Sequence, residues 1–360
     1  MEKISVSVIV CTYNGEKKIR QCLKALENQE YPKEKLEIVI VDDCSTDNTV
    51  EVVKEFSNVK LIRHHENYGL GKSRNTGIMN SVGEIIVFTD DDCIPDKFWI
   101  YELAKIYKKP EIDGVGGKIE PFSVNNIIEK YIAYSKSPIY MHVSKPSNQA
   151  RILNYFKNLF KIKRNELQDQ QPLYHLMGAN SSYRRKLIEY VEGCDDNLRR
   201  GVDWDLSLRL HKKFDLNLIY SEKAIIYHKH RSNIKNFIKH MYQYGKAQSI
   251  VAKKHKFFNF PYLFPSMIVL FSILYIMSSL FRSLFSLDIQ LFNLFNFINT
   301  ISMIILGFIL IIYLLSTLPY SIKVGIKKHS LKIIFLFPII EIIREFSHSV
   351  GTFIGYFKNK

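Results

Sequence analysis

The stretch IIVFTDDD, residues 85–92, runs four apolar residues almost directly into three carboxylates. Residues 85–88 are β-branched or aromatic, as a buried strand requires, so Asp90, Asp91 and Asp92 sit where that strand leaves the core. The same design occurs upstream. LEIVIV, residues 36–41, is apolar apart from Glu37 and ends in Asp42 and Asp43. Short, largely apolar strands are usual in parallel sheets covered by helices on both faces. Residues 6–10 and 59–62 read as further strands, and Ile19, Leu23 and Leu26 as one side of a helix closed by Pro32. Ser45, Thr46 and Asp47 predict a capped helix start ahead of Val50, Val53 and Phe56. This alternation predicts an α/β fold with a mostly parallel sheet flanked by helices. Ligands of such sheets bind beyond the carboxyl ends of the strands. Both acid clusters are therefore expected on one rim.

Three adjacent carboxylates at the end of a buried strand repel one another. A divalent cation relieves that repulsion, and hard oxygen ligands suit Mg or Mn; the alternative is a solvated acidic loop. Asp42 and Asp43 either hydrogen-bond the base or ribose of a nucleotide, or solvate the turn and cap the next helix.

Further on, residues 114–121 read as a strand and turn. Residues 125–171 carry aromatics and lysines without a chemical motif. Residues 203–214 read as a helix, with Leu206, Leu210 and Phe214 on one face. Residues 261–280 and about 297–318 contain no charge, and each reaches the ~20 residues that cross a bilayer. A third segment, 333–357, carries Glu341, Arg344, Glu345 and His348. Charges at membrane depth are expensive, so this segment reads as a membrane helix or as an amphipathic one with a polar stripe. The expected organisation is a catalytic domain over 1–240, a basic juxtamembrane linker over 241–260 and C-terminal transmembrane helices within 261–360.

The formal charge is +15. Lys246, Lys253, Lys254 and Lys256 precede the first apolar span, while Lys323, Lys327, Lys328 and Lys332 follow the second. That placement fits membrane lipids rather than nucleic acid, for which there is no motif. It predicts an in–out–in hairpin, with the link around Arg282 and Asp288 outside and the catalytic domain cytoplasmic. Five cysteines without a CxxC pair fit a reducing compartment. The N-terminal apolar run is too short for a signal peptide and reads as a buried strand.

The segments SVIVCTYNG (7–15), EIVIVDDCSTDNT (37–49), NYGLGKSRNTGI (67–78) and GEIIVFTDDDCIPD (83–96) resemble the successive motifs of the family 2 glycosyltransferases, inverting enzymes of the GT-A fold. The resemblance extends from about Ser5 to Arg231. It implies that Thr12, Tyr13 and Asn14 line a nucleoside pocket, that Asp43 meets the base with Asp42 close by, and that Arg74 lies near the diphosphate. Asp90 and Asp92 would form the family's DXD element, with Asp92 the direct metal ligand. His228, in IIYHKHRS, stands where related enzymes have a histidine near the metal or phosphates. In GVDWDLSLRL (201–210), Val202 stands where the family commonly has Glu. Asp203 holds the general-base position, with Asp205 as competitor. GANSSYRR (178–185) resembles the acceptor-side segment, where Asn180 and Arg184 either line the pocket or support it. The implied partners are a nucleotide-sugar donor and a lipid-linked or nascent glycan acceptor.

The QxxRW signature of processive synthases is absent, which favours single-sugar transfer over polymerisation. A sugar-phosphate nucleotidyltransferase needs a Gly-rich loop with Arg after the first strand, where this chain has CTYNGEKK. A catalytically inactive membrane scaffold would be expected to lose the acids, which are present.

Overall fold

In the computed structural model, the residues described are 4–135, 167–230, 232–256, 260–284 and 289–357. The link residue Asp288 lies outside them. The chain forms two compact units, one from residues up to 124 with those from 167 to 230, the other from 125–135 with those from 232 onward.

The first unit alternates strand and helix: β1 Val6–Thr12, α1 Glu16–Glu27, β2 Leu36–Asp42, α2 Thr49–Lys54, β3 Lys60–Arg63, α3 Leu70–Met79 and β4 Ile85–Asp90. Then come β5 Cys93–Pro95, α4 Trp99–Ile106 and β6 Gly114–Pro121. A helix of the second unit, α5 Ile127–Tyr134, intervenes. The first unit resumes with β7 Pro172–Leu173, β8 Asn180–Arg184, α6 Arg185–Tyr190, α7 Val202–Lys213 and β9 Leu218–His228.

The sheet order is β3-β2-β1-β4-β8-β6-β9-β5, with β7 also on β9. β3, β2, β1 and β4 are mutually parallel, in a register that sets Thr12 beside Asp42 and Cys11 beside Asp90. Both acid clusters thus leave the sheet at one rim. The rest of the sheet is mixed: β8 runs antiparallel to β4 and β6, and β9 is parallel to β6. The expectation of a mostly parallel sheet describes its first four strands. β8 escapes an apolar-run reading because it is polar inside the core. Its Ser182 hydroxyl accepts from the Tyr107 hydroxyl at 2.9 Å and donates to the Val115 carbonyl at 3.0 Å.

α1 buries Ile19, Cys22, Leu23 and Leu26 against the sheet, each large side chain stabilising by about 1.5–3 kcal/mol. The α2 helix begins at Thr49, after the expected capping residues. Of those, Ser45 is tied elsewhere, its Oγ accepting from the Asn14 N–H at 2.9 Å, while Asp47 accepts from the Glu16 N–H at 3.3 Å and from the N–H of Thr49, the first residue of α2, at 3.1 Å.

In the second unit, α8 Ile234–Lys254 precedes α9 Phe260–Leu284, α10 Ile289–Lys327 and α11 Leu331–Phe357. Among the described residues, α10 is the one helix long and apolar enough to cross a membrane, and 270–284 forms a shorter apolar stretch of α9. The backbones of α8 and α11 touch at glycines. A Cβ on Gly245 would meet the His348 carbonyl, and one on Gly351 the Tyr242 carbonyl.

Candidate active site

The triplet leaving β4 divides by side. β4 ends at Asp90, and Asp91 and Asp92 form the turn into β5; in that turn Asp91 is directed back into the protein, where it accepts from the Thr12 hydroxyl at 2.8 Å. Burial pushes the Asp91 carboxyl up to about 6. Asp90 and Asp92 turn the other way. β5 pairs Cys93 with His228 at the end of β9. That pairing brings ligand atoms of Asp90, Asp92, Cys93 and His228 within 4.8 Å of one another. His228 Nε2 lies 3.4 Å from Asp92 Oδ1. Burial and the Asp92 charge push the Asp90 carboxyl up, against the pull of Arg74 and His228. Two carboxylates and an imidazole form a donor set that suits Mg or Mn, and their mutual repulsion is what a divalent cation would relieve.

Arg74 is fully buried on α3, its guanidinium 4.8 Å above the Phe88 ring. Gly178 permits this, since a Cβ there would stand 2.3 Å from Arg74 Nη2. The Gly178 N–H donates to Asp203 Oδ2 at 3.0 Å, and His175 Nε2 lies 3.6 Å from the same oxygen. Burial alone would push the Asp203 carboxyl up. His175, Arg74 and the Gly178 N–H outweigh it and hold the group well below the usual carboxylate range. Arg74 keeps its charge despite burial, with Cys194 and the carboxylates of Asp203 and Asp90 as neighbours.

Asp205 is spent on structure. It is buried, and pairs with Arg209 Nε at 2.8 Å, while Arg209 also donates to the Val191 and Gly193 carbonyls. Removing one partner of a buried pair costs about 3 kcal/mol. We therefore expect Asp205→Ala to lower the thermal midpoint of the purified protein markedly, and an unchanged midpoint contradicts this role.

The third group lies after β1 and β2. Asp43 accepts from His64 Nδ1 at 2.8 Å and from the Tyr68 and Gly69 N–H groups at 3.0 and 2.8 Å. Gly69 has φ +93°, a conformation only glycine adopts without strain, and this turn starts the helix carrying Arg74. Asp42 accepts from the Ser45 N–H at 3.2 Å and faces Arg63. Its buried Oδ1 has no hydrogen-bond partner among the described residues. The Asn14 side chain accepts from the Thr46 N–H at 2.8 Å, and the Tyr13 ring is 49 % exposed on the rim.

The two acceptor-side candidates lie at opposite ends of β8. Asn180 pairs with Thr89 at the rim end but is buried, bonding Trp99 Nε1 and the Lys118 and Ala224 carbonyls. Arg184 pairs with Ile85 at the opposite end of β4 and donates to the Ile112, Tyr107 and Lys109 carbonyls. Sequence reading missed His175, His64 and Cys93. Only Cys93, next to the acid triplet, carried a signal.

A parallel half-sheet with a mixed extension, and acids gathered at the strand ends, is the architecture of GT-A-type transferases. The family model for glycosyl transferase family 2 matches residues 7–191. The chain belongs to that family.

Glycosyltransferase AglE of Haloferax volcanii is 33 % identical over 189 residues, half of this chain and 60 % of that protein. A Methanococcus voltae relative, named dolichyl N-acetyl-alpha-D-glucosaminyl phosphate 3-beta-D-2,3-diacetamido-2,3-dideoxy-beta-D-glucuronosyltransferase, is 28 % identical over 98 % of this chain and 97 % of its own length. Among solved structures, a Pyrobaculum calidifontis mannosyltransferase in complex with GDP-Man and Mn2+ shares the fold with TM-score 0.56 and 17 % identity, over 98 % of this chain and 88 % of that one.

Proposed function

We propose that the protein is an inverting glycosyltransferase that moves a single sugar from a nucleotide-diphosphate sugar to a lipid-linked or nascent glycan acceptor at the cytoplasmic membrane face. The observation that carries this reading is the convergence of Asp90, Asp92 and His228, with the buried Arg74 and the part-exposed Asp203 close enough to act on each other through charge. The name of the Methanococcus voltae relative, which aligns over nearly its whole length, supports a lipid-linked acceptor.

The roles follow from position. The exposed Tyr13 ring offers a stacking face for the base. The unpartnered Asp42 oxygen accepts from a nucleotide N–H or hydroxyl, and Asp43 holds the loop that shapes this end of the site. Arg74 balances the diphosphate. Asp90, Asp92 and His228 would hold a divalent cation, which supplies charge neutralisation for the departing diphosphate. Asp203 takes the proton of the acceptor hydroxyl as that oxygen attacks C1 from the face opposite the leaving group.

A thermal-shift panel of nucleotide sugars with Mn2+ tests the reading. One donor should raise the midpoint and be hydrolysed slowly without acceptor, and a panel without any stabilising donor defeats it. The topology is a second expected result. α9 and α10 form the in–out–in hairpin, so a cysteine placed at Asp288 should react with an impermeant maleimide on intact cells and one at Lys327 should not. The reverse pattern would move the catalytic unit outside, away from cytosolic nucleotide sugars.

A further inference from the structure

We propose that α11 is a lipid-facing helix lying within a single leaflet, its outer face in acyl chains and its charges turned into the protein. This rests on reading α10 as a membrane span.

The helix is inverted relative to one in water. Leu331, Phe335, Ile339, Phe346, Ile354 and Phe357 are exposed, Phe335 at 67 %. Glu341, by contrast, is 4 % exposed and accepts from the Tyr131 hydroxyl of α5. Arg344 pairs with Glu341 at 2.7 Å and also with Glu345. His348 Nε2 lies 2.8 Å from the Gln248 amide oxygen of α8. In water the hydrophobic effect would reverse this arrangement, because each exposed apolar face costs free energy in proportion to its area. In hydrocarbon it is the favoured one, since ionisable groups at membrane depth face the protein interior and pair there. Composition alone hides this. Three charges in the middle of α11, Glu341, Arg344 and Glu345, disqualify it as an apolar span, yet all three lie on its protein side.

Two observations name the occupant of the outer face. The neighbouring α10 carries a continuous exposed apolar surface through Met303, Ile304, Phe308 and Leu315, and it meets α11 where Ile309 and Tyr313 pack on Ile342. The two helices therefore share one apolar band. Lysines mark both ends of α11. Lys327, Lys328 and Lys332 surround its start, and Lys253 Nζ donates to the Tyr356 carbonyl at 3.4 Å near its finish. At about 1.5 Å per residue, 27 residues are long enough to cross ~30 Å of hydrocarbon. Basic groups at both ends instead place both ends in headgroups of the same leaflet, the geometry of an interfacial helix.

The test uses the full chain in vesicles of phosphatidylcholine with phosphatidylglycerol. Nitroxide labels replace Phe335, Ile339, Phe346 and Ile354 one at a time, with Cys11→Ser and Cys44→Ser removing the part-exposed thiols. A label at Phe308 on α10 serves as reference. All four α11 labels should be far more accessible to oxygen than to a nickel chelate, at a depth of about 5–10 Å below the headgroups. A depth profile that peaks at the midplane makes α11 a crossing helix and overturns the leaflet placement. High nickel accessibility puts the face in water, and low accessibility to both reagents puts it against protein; either overturns the proposal. If Phe308 also reads water, the span reading of α10 has failed as well, and donor binding remains a separate measurement.

Discussion

Asp92→Ala should lower kcat by roughly a thousandfold and abolish Mn2+ binding, while the protein stays folded. Asp92 lies at the rim, where its carboxylate meets His228 at 3.4 Å and shares a 4.8 Å cluster with Asp90. A divalent cation at a departing diphosphate contributes several kcal/mol to the transition state, and about 4 kcal/mol at ~1.4 kcal/mol per decade is close to three orders of magnitude. Excess EDTA should reproduce the loss, and added Mn2+ should reverse it. Mn2+ binding, read by the loss of free-ion EPR signal, separates an absent ion from a damaged acceptor site. Asp91→Asn is the internal contrast. Asp91 lies in the same triplet but turns toward Thr12, so its rate should stay within about tenfold, a change of ~1.4 kcal/mol. Full activity of wild type in excess chelator would remove the metal from the mechanism. Equal losses for Asp91 and Asp92 would mean that the acid cluster acts as bulk charge.

These two acids show what could be read without a structure. Apolar runs ending in Asp42–Asp43 and Asp90–Asp92 locate β2, β4 and their shared rim, because only a strand end takes such a run into carboxylates. What separates Asp91 from its neighbours is the turn after β4, which hands it to Thr12. The antiparallel half was hidden for physical reasons. β5 and β7 have three and two residues, too few for periodicity, and β8 is polar because its hydroxyls are satisfied inside the core. The contact between α8 and α11 rests on Gly245, Gly351 and buried polar side chains such as Gln248, which no hydrophobic pattern reveals. His175 reaches Asp203 across a sequence separation that carries no spacing rule, so only the fold brings the pair together.

That pairing shapes the last expected result, for the proposed base. Asp203→Asn should cut kcat by ~100- to 10,000-fold, or about 3 to 5 kcal/mol, with donor affinity nearly unchanged. The amide keeps the shape and still accepts the Gly178 N–H, but it cannot take the acceptor's proton. Asp205→Asn should leave turnover per folded molecule largely intact, since Asp205 is occupied by Arg209. If Asp205→Asn abolishes turnover and Asp203→Asn does not, the assignment passes to Asp205. The pH profile adds a readout that loss of fold cannot imitate. With a folded-state pKa held low, Asp203 is ionised throughout the physiological range, and the acid limb of kcat/KM due to this group lies below the ordinary carboxylate region. The His175 imidazole, 3.6 Å from the carboxylate, favours its ionised form. His175→Gln removes that imidazole, so the carboxyl takes up a proton more readily and the acid limb moves to higher pH. Stability follows the same sign: the depressed carboxyl stabilises the fold above its unfolded pKa of about 4, and this contribution is lost as pH falls toward the native value. His175→Gln should therefore flatten the acid side of the stability curve while it shifts the rate profile. A rate profile that stays in place, with lower rates at every pH, would make His175 a packing residue and leave Arg74 and Gly178 as what holds Asp203 ionised.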